Sequence, residues 1–75
     1  MNQDRAIELA AEYQQSTGPA RKCVSVVAFS REDCLKFGLV WPSWSVIFEA
    51  LNPGLRDGLV VYVQGDGKVQ RRAGL

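Results

Sequence analysis

Two thiols, eight side-chain carboxylates and no imidazole set the chemistry open to this 75-residue chain. Without histidine there is no ordinary general base near neutral pH, no Ser-His or Cys-His nucleophile pair, and none of the commonest zinc ligand. Cys23 and Cys34 lie too far apart for a CxxC pair and cannot complete a four-ligand zinc site by themselves. Glu32 and Asp33 are adjacent, so they diverge and do not converge on one substrate. Asp57 and Asp66 fall in turn-like sequence that no helix or strand spacing brings together. No catalytic residue, metal ligand or cofactor site follows from these groups, and the expectation is a protein that is not an enzyme.

One segment resembles a phosphate loop: Gly65-Asp66-Gly67-Lys68. It lacks the GxxxxGK[ST] spacing and stands between two apolar runs, not before a helix whose dipole would face a phosphate. A hairpin turn is the better reading. The residues left for recognition are aromatic and basic. Trp41 precedes Pro42 and falls outside the alternation that follows, so it is either a ledge for a partner or a further core ring. Tyr62 alternates away from Leu59, Val61 and Val63, and so belongs to the face opposite theirs. With Lys68, Arg71 and Arg72 these two rings make up the expected partner-binding set. The three cations alone read more simply as a solvated, aggregation-blocking edge.

The elements that must position these groups are legible in places. Residues 4–15 carry Ala6, Leu9, Ala10 and Tyr13 at helical spacing with Ile7 beside them, and Asn2 or Asp4 can cap the start. Gly18-Pro19 ends that helix, the glycine as a left-handed C-terminal residue. Residues 22–30 are apolar on both faces, which predicts a central strand or one covered on both sides. Val24, Val26 and Ala28 would share one face. Ser30 to Asp33 is a capping-box pattern that predicts a single helical turn through Leu35, stopped at Gly38.

Trp44, Val46 and Phe48 then alternate as a half-buried strand, with Trp44 in the core. Asn52-Pro53-Gly54 signals a turn, and residues 59–63 form an apolar β-branched strand. Gly65 to Gly67 supplies positive-φ positions for a hairpin into a last strand at Val69. The predicted fold is α+β: one N-terminal helix packed on a three- to four-stranded antiparallel sheet, in the order α-β-β-β-β, as a single domain spanning residues 1–75.

Composition narrows the partners. The net charge of +1 lacks the basic excess of a protein that neutralises many phosphates. The acidic, polar first fifteen residues are unlike a signal peptide, and every apolar run is shorter than the ~18 residues that cross a bilayer. The expectation is therefore a cytoplasmic protein, with Cys23 and Cys34 as buried or half-buried thiols and a bridge between them as the alternative. A core this small is often supplemented by a second subunit, so a homodimer is as available as a foreign partner.

The run RAIELAAEY over residues 5–13, Phe37-Gly38, WSVIF over residues 44–48 and VYVQGDGKV over residues 61–69 together resemble small bacterial PepSY-like domains and similarly built immunity proteins. Two features depart from that pattern: Gln64 stands where an aspartate is usual, and Val40 to Ser43 is an insertion. The resemblance implies a non-enzymatic module that docks a protein by a sheet face or edge, as an inhibitor or toxin antidote. The alternatives are a structural homodimer or accessory protein of a mobile element, and a weak nucleic-acid binder working through Lys68, Arg71 and Arg72 with Tyr62 for stacking.

Overall fold

In the computed structural model, which describes residues 1–51 and 58–72, the chain is an α+β domain. Helix α1 (Gln3–Thr17) precedes strand β1 (Cys23–Ala28), helix α2 (Arg31–Phe37) and strands β2 (Ser43–Phe48), β3 (Leu59–Gln64) and β4 (Val69–Arg71). The four strands form one antiparallel sheet in sequence order, β1-β2-β3-β4. The expected turn at Asn52 to Gly54, and Asp57, lie outside the described residues.

α1 begins where Asn2 accepts a hydrogen bond from the Arg5 N–H at 2.9 Å, satisfying one of the helix's four free amides. Its inner stripe is narrow: Ala6 and Ala10 are fully buried, and Leu9 and Tyr13 pack beside them. Alanine on this stripe lets the helix backbone approach the sheet closely. The stripe continues to Gln14, a polar residue buried at the end of the helix. Its amide nitrogen donates to the Pro19 carbonyl, and its amide oxygen accepts from the Arg21 N–H at 2.9 Å. One side chain thus fastens the helix exit to the entry of β1. Gly18, expected to be left-handed, has φ 171° and is extended, because the Gln14 side chain and not a left-handed glycine organises the exit.

β2 and β3 are the interior strands. Trp44 pairs with Val63, Val46 with Val61 and Phe48 with Leu59, and all six side chains are buried beneath α1. Trp44 is 7% exposed, a core residue as its alternation requires. Fully burying residues of this size contributes roughly 1.5–3 kcal/mol each.

β1 departs from expectation. It is an edge strand, paired only to β2, and neither central nor covered on both sides. The register shifts between Cys23 and Ser25, a bulge that turns Cys23 to the same face as Val26, where both pack on the core. Val24, expected to share that face, is the extra residue and is exposed. An all-apolar strand looks central by composition, yet here one set of valines stays in solvent.

The predicted turn after β1 is longer than one turn. Ser30 Oγ accepts from the Asp33 N–H at 3.1 Å, and the helix runs on to Phe37. Gly38, left-handed at φ 69°, closes it: its own N–H reaches Leu35 O at 3.4 Å, and the Leu39 N–H reaches Cys34 O at 2.8 Å. This is a Schellman motif, and its usual apolar contact pairs the buried Cys34 with the buried Leu39.

In the β3–β4 turn only Gly67 has a positive φ, 92°. Gly65 serves a different need from the one expected. Its N–H donates to Pro42 O at 2.6 Å, and a Cβ there would stand 2.7 Å from Pro42 Cδ. Glycine at 65 lets the hairpin approach the connection between α2 and β2.

Candidate functional site

Among the described residues eight large apolar side chains are exposed, and four of them, Leu35, Phe37, Val40 and Trp41, fall within seven consecutive positions. They belong to the last turn of α2 and the connection into β2. Scattered exposed apolar residues are ordinary; four within seven positions make this segment the candidate contact surface.

The sequence builds this surface in three steps. The Schellman motif at Gly38 reverses the chain and buries Leu39 against Cys34, so the neighbouring side chains at 37 and 40 turn outward. Gln64, buried in β3, accepts the Val40 N–H at 2.8 Å through its side-chain oxygen, and the Ser43 hydroxyl donates to the Val40 carbonyl. Pro42, joined to Trp41 by a cis peptide, is held by the Gly65 N–H. The connection is therefore fixed along its length, and its aromatic ring is presented from a tethered backbone.

Trp41 is 47% exposed, and the Arg31 guanidinium lies 5.3 Å from the centre of its ring. Cation–π pairs at exposed sites contribute about 0.5–1 kcal/mol, enough to favour one rotamer of each partner. Together with Cys34, Leu35 and Leu39 these two residues line an open cavity of about 350 Å³. Its floor is the buried Cys34–Leu39 pair, its wall the indole, and its rim a cation. Leu35, which also lines the cavity, is 85% exposed. The cavity suits an apolar side chain carried by a partner, with Arg31 able to orient a neighbouring carboxylate or carbonyl.

The five residues expected to act together are only partly brought together. Trp41 stands in the cavity wall. Tyr62 is on the face opposite Leu59, Val61 and Val63, as its alternation required, and since α1 covers those three it lies away from the helix. It is half-buried, for Phe29 meets it edge-on at 5.4 Å, and Phe37 adjoins Phe29 at 5.8 Å. Lys68 is exposed beside the hairpin turn, where its N–H donates to Asp66 at 3.1 Å. Arg71 pairs with Val61, which places it on the α1 side, away from Tyr62. Arg72, whose N–H donates to Val60 O at 2.9 Å, continues the edge. Arg71 and Arg72 thus alternate across the outer edge: Arg71 is parted from Tyr62 by the sheet, while Arg72, opposite Val60, falls on Tyr62's side.

Sequence reading passed over Arg31, Leu35 and the Cys34–Leu39 floor. The available signal was the Ser30 cap and Gly38 stop, which delimit a short helix in which Leu35 has only Arg31 and Glu32 at helical spacing. Among the described residues no group of three or more histidine, cysteine or acidic side chains is placed to hold a metal ion, and no helix is long and apolar enough to cross a membrane. Cys23 and Cys34 are free thiols. No family model, curated protein or solved structure matches this chain.

Proposed function

We propose that this protein is a small, non-enzymatic binding module of the inhibitor or immunity type, which docks a partner protein with the α2–Trp41 end of the domain. The observation that carries the reading is the exposure of Leu35, Phe37, Val40 and Trp41 within seven positions, where the Val40–Pro42 backbone is tied down by Gln64, Ser43 and Gly65. Exposed apolar groups on a held scaffold lose little entropy on binding, which is what a docking surface needs. A PepSY-like ancestry and a cytoplasmic setting belong to the same proposal; two free thiols suit a reducing compartment.

The test is photo-crosslinking in the native host from a reactive residue introduced at position 35 or 41, with position 8 on the exposed side of α1 as control. One protein captured from 35 and 41, absent from 8, and lost on Leu35→Asp supports the reading. Equal labelling from all three positions, or none, removes it.

A further inference from the structure

The two edges of the sheet are treated differently by the sequence. β4 is three residues long and ends in Arg71, followed by Arg72, the charged, short form in which an edge resists pairing. β1 is six residues long, Cys-Val-Ser-Val-Val-Ala, with no charge and no proline. Its side chains Val24 and Val27 are exposed. An uncharged, β-branched edge of this length is a template for another strand.

The ladder geometry states which strand fits. The Phe29 N–H donates to Ser43 O at 2.9 Å, so Phe29, and by alternation Val27, direct their peptide groups toward β2. Val26 and Ala28 therefore present N–H and C=O outward, and among the described residues nothing pairs with them. These four groups are self-complementary. If a second copy approaches antiparallel, with Val27 on the two-fold axis, Val26 of each copy lies opposite Ala28 of the other and all four groups bond reciprocally. Every pairing in this register joins side chains of the same sheet face, as a continuous sheet demands. It also leaves the bulge at Val24 outside the new ladder, and it places no charged side chain in any of the three central pairs. A head-to-tail union of β1 with β4 would instead meet Arg71 and a three-residue strand.

We infer that the protein self-associates through β1, two copies sharing one antiparallel eight-stranded sheet about a two-fold axis through Val27. An interface closed by symmetry uses both β1 edges and stops at two copies, leaving the guarded β4 strands outermost. The α2–Trp41 surface adjoins this edge where Phe37 meets Phe29 at 5.8 Å, but its test positions 35 and 41 lie outside the paired residues 25–29, so the two experiments read different contacts.

Mass measured by light scattering over a dilution series reads the assembly. The expected species has twice the 8.3 kDa chain mass. Val27→Lys puts two like charges opposite one another and is expected to weaken dimerisation at least ~10-fold with the thermal transition retained, since Val27 is 49% exposed. Val27→Cys in a Cys23→Ser background is expected to give an oxidised, covalent dimer, because directly opposed non-bonded positions sit about 4.5 Å apart, within disulfide reach. Ser25→Cys in the same background, opposite Phe29 and not itself, is expected to bridge far less. A monomer at every concentration, growth beyond two copies, a dimer that survives Val27→Lys, or bridging from position 25 as readily as from 27 each overturns the inference.

Discussion

The side-chain oxygen of Gln64 accepts the backbone N–H of Val40 at 2.8 Å, joining β3 to a connection twenty-four positions earlier in the chain. Gln64 is buried, so this bond is made away from water and its loss leaves an amide unsatisfied. Gln64→Leu is expected to lower stability by about 1–3 kcal/mol. For a domain of this size that is a fall in Tm of several degrees or more. The Val40 amide should also exchange with solvent much faster, measured by NMR, while amides of β2 and β3 keep most of their protection. An unchanged Val40 exchange rate would show that the connection is held by other contacts.

Val61 is fully buried in an interior strand beneath α1. Val61→Asp places a carboxylate there with no partner, at several kcal/mol, comparable to the whole stability of a small domain. The variant is expected to lack a cooperative thermal transition by circular dichroism.

Three glycines should respond to alanine in three ways. At Gly65 the new Cβ meets Pro42 Cδ at 2.7 Å and Pro42 O at 2.8 Å, so the hairpin and the Trp41–Pro42 segment must separate. At Gly67 space is open but φ is 92°, and the expected loss is about 1 kcal/mol. At Gly18 space is open and the backbone extended, so alanine should stabilise by about 0.4–1 kcal/mol by restricting the unfolded chain. Denaturant midpoints for the three variants should fall in the order Gly18→Ala, wild type, Gly67→Ala, Gly65→Ala.

The two aromatics once grouped together should separate in the same assay. Tyr62→Ala removes the edge-on contact to Phe29 and is expected to lower Tm clearly. Trp41→Ala removes a half-exposed ring whose face Arg31 covers and should cost less than about 1 kcal/mol. Equal losses would mean that Trp41 supports the fold and is not spare for binding.

Cys23 is half-buried and Cys34 buried, both as free thiols. Reductant should therefore leave Tm unchanged. A bridge closing a loop of this length would stabilise by roughly 3 kcal/mol, so a drop of many degrees on reduction would reveal one.

What could be read from residue order was what depends on near neighbours. α1 follows from the spacing of Ala6, Leu9, Ala10 and Tyr13 with a cap at Asn2 or Asp4; the ends of α2 follow from Ser30 and Gly38. Alternation put Trp44 with Val46 and Phe48 and set Tyr62 opposite Leu59, Val61 and Val63, but not which face α1 covers. Each of these rests on a period or a turn angle contained in a few consecutive residues. Tertiary structure alone decided the rest. Whether β1 is central or an edge depends on which strands pair, and an apolar hexapeptide is compatible with both. Gln14 and Gln64 are polar by type and buried by position, because each meets backbone groups that only folding delivers: Pro19 and Arg21 for one, Val40 for the other. The exposure of Leu35 and Trp41 is likewise a property of packing. No local rule distinguishes an apolar side chain that finds a core from one that the folded domain leaves outside.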